Sequence, residues 1–148
     1  MIKKKKKIIL IILILAASFT LMLVSAEARV RVSVINRLGD GRKMQIHCRS
    51  SDDDLGLQKV DDGCGTAWSF AVNFWGTTLF YCDVKWEDHR GSESGGGWKH
   101  FDAYDAQKDF RRCSSECKWM ISSDGSLYGF DQEWGTWDRY PFAGSDNI

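Results

Sequence analysis

From residue 30 onward, apolar and polar residues alternate one for one through most of the stretches that are not rich in glycine. "VRVSVIN" puts Val30, Val32 and Val34 on one side, and "KMQIHCR" sets Met44, Ile46 and Cys48 against Lys43, Gln45, His47 and Arg49. "AWSFAVNF" aligns Trp68, Phe70, Val72 and Phe74, and "TLFYCDVKW" aligns Phe80, Cys82, Val84 and Trp86. "CKWMIS" aligns Cys117, Trp119 and Ile121. A period of two is that of a strand with one buried face. The turn signals between these runs are "LGDGR", read as a hairpin joining the first two strands, then "DDGCG", "WGT" and "SDGS". No run after residue 30 has a helical period; "YDAQKDFRRC" has room for one turn. Short aromatic strands with frequent turns predict an all-β fold, a small antiparallel β-sandwich of immunoglobulin-like kind.

The N-terminus predicts the compartment. "MIKKKKK" is followed by 17 uncharged residues, Ile8 to Val24, and then by the small-residue stretch "SAEA". That order describes a secretory signal peptide over residues 1–28, cut after Ala26 or Ala28. The alternative is an uncleaved anchor, because 17 apolar residues approach the ~20 that span a bilayer; the small-residue tail favours cleavage. Residues 29–142 then form one domain and 143–148 a short tail, with no membrane insertion after cleavage. Cleavage removes five lysines and one glutamate from a chain balanced at 20 basic and 20 acidic residues, leaving a net charge of −4. An acidic domain is poorly suited to nucleic acid or to an anionic bilayer.

All five cysteines lie beyond the leader, on the oxidising route. An odd count permits at most two bridges. Cys48, Cys82 and Cys117 share faces with large apolar side chains, and Cys113 precedes the last such strand. Cys64 sits among glycines and aspartates, which nominates it as the free thiol. The chain is read as a monomer, with a Cys64-linked dimer as the alternative.

Candidate chemistry is sparse. Asp52, Asp53 and Asp54 are contiguous, whereas a calcium loop spaces its oxygens and adds a distal glutamate. They read as a turn, with Ser51 or Asp52 bonding the backbone ahead and Gly56 turning the chain. A ribonuclease-like hydrolase needs two imidazoles held near one site. Nothing local brings His47, His89 and His100 together, so solvated histidines are expected. "GSESG" is not a nucleophile elbow, and Cys113 with Cys117 offers one pair of thiols where zinc wants two. No catalytic residue, metal or cofactor is therefore expected. Trp68, Trp86 and Trp119 are in phase with the core, while Trp75, Trp98, Trp134 and Trp137 fall in or near loops. The glycine-rich stretch from His89 and Arg90 to Trp98, together with Asp52, Asp53 and Asp54, is the first place to seek a recognition surface.

Taken together, "VSVINRL", "MQIHCRSSDDDLG", "AWSFAVNFWGTTLFYCDVKW" and "FDAYDAQKDFRRCSSECKWMISSDGSLYGF" resemble the plant self-incompatibility protein S1 family, from about Val30 to Trp137. The resemblance implies a secreted β-sandwich with two disulfides among four cysteines, which correspond here to Cys48, Cys82, Cys113 and Cys117. The pairing expected on that basis is Cys48–Cys117 with Cys82–Cys113. Four cysteines allow three pairings, and Cys113–Cys117, closing a very short loop, ranks last. The resemblance also implies a non-enzymatic signalling role, as a ligand for a protein receptor at a plasma membrane. The extra Cys64 and the glycine-rich loop depart from the family pattern.

Overall fold

The computed structural model describes residues 2–24, 29–87 and 97–144. Helix α1 spans Ile2–Val24, and its apolar side chains from Ile8 to Leu15 are exposed. No helix among the described residues is long and apolar enough to cross a membrane.

Among the described residues nine strands follow: β1 Arg29–Asn36, β2 Met44–Arg49, β3 Asp54–Val60, β4 Gly65–Ala71, β5 Leu79–Trp86, β6 Lys99–Asp105, β7 Glu116–Ile121, β8 Leu127–Asp131 and β9 Thr136–Tyr140. They form a five-stranded sheet, β4-β1-β7-β8-β9, and a four-stranded sheet, β3-β2-β5-β6. The alternation explains the layering. Val30, Val32 and Val34 from one sheet and Met44, Ile46, Phe80, Cys82 and Val84 from the other are all buried in one core. Phe70 stacks on Phe80 across it, with ring centroids 4.4 Å apart.

Two expectations about this architecture are corrected, and the antiparallel sandwich holds for every strand pair but one. "LGDGR" is not a hairpin, because β1 pairs with β4 and β7 while β2 pairs with β3 and β5. The connection crosses between sheets, and Asn36 holds the crossing. Its side chain is fully buried and donates to the carbonyls of Arg42 (2.8 Å) and Val60 (2.9 Å), while the Leu38 N–H donates to its oxygen (3.0 Å). The sandwich is antiparallel except for β1 and β7, which run parallel. Phe74 does not join the core stripe. Strand β4 ends at Ala71, and Phe74 is 94% exposed.

Strands β3, β6, β8 and β9 carry no clean alternation and escaped the sequence reading. In β9 both faces are largely open, so no apolar stripe is required of it. In β3 the Gly56 backbone is left-handed, with φ of 71°, where the β2–β3 register shifts between His47 and Arg49. The chain therefore reverses at Ser50–Asp53 rather than at Gly56. The Ser50 hydroxyl, and not Ser51 or Asp52, accepts the bonds that close this turn, from the N–H groups of Asp52 and Asp53.

The disulfides pair locally. Cys48 bonds Cys82 and Cys113 bonds Cys117, while Cys64 is free and exposed. The expected Cys48–Cys117 and Cys82–Cys113 bridges do not form. Cys48 and Cys82 are direct cross-strand partners in the β2–β5 register, with Cα atoms 4.1 Å apart. Cys117 lies on β7 of the opposite sheet. Cys113 ends a run of turns in which its N–H donates to the Asp109 carbonyl, and the chain doubles back to bring Cys117 within 5.0 Å (Cα–Cα). Neither bridge joins the two sheets, so the packed core holds them together.

Candidate recognition surface

The side chains opposite the core in the four-stranded sheet form cross-strand rows. One row reads Leu57, His47, Asp83, His100, and the next reads Asp54, Arg49, Tyr81, Asp102. Lys59, Gln45 and Lys85 make a third, and the Lys85 ammonium lies 5.0 Å from the centre of the Trp98 ring.

One arginine–aspartate ion pair and two imidazole–carboxylate contacts link these side chains. His47 Nε2 meets Asp54 Oδ1 at 2.5 Å. The Asp83 carboxylate is shared, accepting Arg49 Nη2 on Oδ2 (2.5 Å) and meeting His100 Nδ1 at Oδ1 (2.8 Å). Tyr81 lies between, with its ring centre 5.3 Å from both the Arg49 guanidinium carbon and the His100 ring. The Gly56 N–H and then the His47 side chain hold the Asp54 carboxyl below the usual carboxylate range. Two histidines expected to be solvated and separate thus flank one aspartate. The local sequence could not show this, because their strands are brought together through β5.

At one end of the sandwich the Ser50–Asp53 turn faces the loop from β4 to β5. Between them runs a groove of about 450 Å³ lined by Asp52, Asp53, Asn73, Thr77, Thr78 and Tyr81, among others. Asp52 and Asp53 line this groove, whereas Asp54 turns to His47 on the sheet face, so the three carboxylates do not converge. Among the described residues, no group of three His, Cys, Asp or Glu side chains could hold a metal ion.

The described residues of the two recognition stretches expected from the sequence, Asp52–Asp54 and Trp98, lie at opposite ends of the four-stranded sheet. Asp52–Asp54 adjoin Arg49 and Tyr81, whereas Trp98 sits beyond Lys99 and against Lys85. The rows from Asp54 to Lys85 connect them. His89 and Arg90 lie outside the described residues. Trp68, Trp86 and Trp119 pack in or against the core, and Trp75, Trp98, Trp134 and Trp137 are exposed. Arg49, Tyr81 and Asp83 went unnoticed as site residues. Their outward phase marked them as surface, and only strand pairing shows that they interact.

Comparison with known proteins agrees with this fold. The family model for plant self-incompatibility protein S1 matches residues 31–140. Self-incompatibility protein S1 of Papaver rhoeas is 46% identical over 112 residues, covering 75% of each chain. S-protein homolog 3 of Arabidopsis thaliana is 39% identical over 97 residues, covering 64% of this chain and 59% of that one. A solved structure of a self-incompatibility protein homologue, from a family described as small, highly stable, secreted plant proteins, superposes with a TM-score of 0.53 at 18% identity. It covers 79% of this chain and 91% of its own. The chain belongs to the plant self-incompatibility protein S1 family.

Proposed function

We propose that this secreted protein is a non-enzymatic recognition ligand for a protein receptor at a plasma membrane, and that the outer face of its four-stranded sheet is the receptor-binding face. Residues 1–28 act as the leader, and residues 29–142 form the active domain. The observation that carries the reading is the continuous polar ladder from Asp54 through His47, Asp83 and Arg49 to Lys85 and Trp98. Arginine, tyrosine and tryptophan are the side chains that dominate protein interfaces. Here they are held by ion pairs and ring contacts, so little side-chain freedom remains to be lost on docking.

The test is binding of the refolded mature domain to isolated plasma membranes. The Arg49→Ala/Trp98→Ala variant is expected to lose at least about tenfold in affinity, the scale of interface anchors. The loss of stability is expected to stay within about 1 kcal/mol, since both side chains lie at the surface. Unchanged binding would remove the sheet face from the reading. Turnover of RNA, glycan or peptide that disappears in His47→Ala or His100→Ala would replace recognition with hydrolysis.

A further inference from the structure

The loop between β4 and β5 ends in Phe74 and Trp75, which are 94% and 80% exposed. The family fold makes no use of them: neither belongs to the core cluster or packs against it. Water around two large rings is unfavourable, and exposed apolar patches of this kind mark contact sites.

The loop that carries them is braced. The Asn73 N–H donates to Thr78 Oγ1, Asn73 Nδ2 donates to Thr77 Oγ1, and the Thr77 N–H donates back to Asn73 Oδ1, each at 2.9 Å. The Gly76 N–H closes the turn on the Asn73 carbonyl (3.0 Å), and the Ala106 N–H ties Thr78 to the end of β6 (2.9 Å). Five bonds around six residues hold the rings in place, which reduces the ordering penalty on binding.

The limbs of this loop form one wall of the end groove, and Asp52 and Asp53 form the other. The lining carries two carboxylates and no cationic side chain. The Ser50–Asp53 turn uses the backbone of these residues, and neither carboxylate has a hydrogen bond or ion pair among the described residues. Phe74 and Trp75 meet edge to face, at 84° with centroids 5.3 Å apart, so they offer a ring face and an edge rather than a flat platform for a sugar chain. The carboxylates repel an anionic bilayer. Asp52 and Asp53 favour a cation in the groove, and the two rings stand on the loop that forms its other wall, next in sequence to the lining Asn73.

From the braced aromatic pair and this groove we infer a second binding site, separate from the sheet face, that takes a basic peptide segment. A lysine or arginine side chain enters between Asp52, Asp53 and Thr77, and its neighbours pack on Phe74 and Trp75.

The probe is the blocked peptide Gly-Arg-Gly-Lys-Gly, titrated into the ¹⁵N-labelled mature domain. The expected result is saturable shifts of the amides of residues 50–53 and 73–78. Affinity should weaken as salt rises, because the contacts are exposed charges. Trp75→Ser should weaken it about fivefold or more, and Asp52→Asn/Asp53→Asn about tenfold or more. Both variants alter exposed side chains, and their own amide spectra report folding. The inference is overturned if no shift appears at about 5 mM peptide, the weak end of measurable affinity. It is equally overturned if Gly-Glu-Gly-Glu-Gly, cellohexaose or phosphatidylserine vesicles bind this end as well or better. Trp98→Ala, at the far end of the sheet, should leave these shifts unchanged, so loss of receptor binding and loss of peptide binding are scored separately.

Discussion

Removing each disulfide in turn should destabilise the domain by clearly different amounts. The variants are Cys48→Ala/Cys82→Ala and Cys113→Ala/Cys117→Ala. In the chain-entropy treatment, a cross-link stabilises by restricting the unfolded chain in proportion to the logarithm of the loop it closes. The first pair is separated by 34 residues, which corresponds to about 3.8 kcal/mol at 25 °C. The second is separated by 4, which corresponds to about 1.9 kcal/mol. All four sulfurs belong to residues no more than 3% exposed, so the packing lost with them is similar and largely cancels between variants. The long-loop variant should therefore be less stable than the short-loop variant by about 2 kcal/mol. For a domain of this size that difference is roughly 5–10 °C in Tm. Urea unfolding of the mature domain, compared at a common m-value, measures it. Equal losses, or a greater loss from Cys113→Ala/Cys117→Ala, would refute the reasoning. Peptide mapping of the unreduced protein checks the connectivity itself.

Other perturbations test the packing and the turns. Asn36→Ala removes three hydrogen bonds of a buried side chain at the crossing between sheets and should cost about 3 kcal/mol in urea unfolding. A loss similar to that of an exposed site would show that the crossing is not held by this side chain. Gly129→Ala would place a methyl 2.9 Å from both Trp119 and Tyr140 and 3.0 Å from Arg112 Nη1, and should lower stability by about 1–3 kcal/mol through overpacking. A neutral result would mean that the Trp119–Arg112–Tyr140 stack moves aside freely. The Ser122 hydroxyl, the Ser126 N–H and the Ser126 hydroxyl hold the Asp124 carboxyl down to about 2. A depressed carboxyl stabilises the fold above its unfolded value, near 3.8, and that stabilisation fades as pH falls towards 2. Asp124 is exposed, so after solvent screening the effect is under about 1 kcal/mol. Asp124→Asn should flatten this acid limb in a pH series of Tm values, and an unchanged slope would count against the turn.

The elements readable from the sequence were those whose physics is local. The phases of Val30–Val34, Met44–Cys48, Phe80–Trp86 and Cys117–Ile121 follow from alternation alone, because one face of each strand must leave water. The same rule marked Cys48, Cys82 and Cys117 as inward-facing, and the glycines and aspartates around Cys64 marked it as the free thiol. Strands such as β9, open on both faces, leave no such trace.

Tertiary structure decided what depends on which strand lies beside which. Alternation says that Cys48 and Cys82 point inward, but not that β2 and β5 place them face to face and leave Cys117 on the other sheet. The turn residues of "LGDGR" are compatible with a hairpin. The buried bonds of Asn36 to Arg42 and Val60, up to 24 positions away, select a crossing instead. His47, Asp83 and His100 lie in three separate strands and become one cross-strand row only through pairing to β5, with His100 bonded to Asp83. The inward or outward direction of each side chain was set residue by residue. The partner it meets was set by non-local packing, which alternation does not encode.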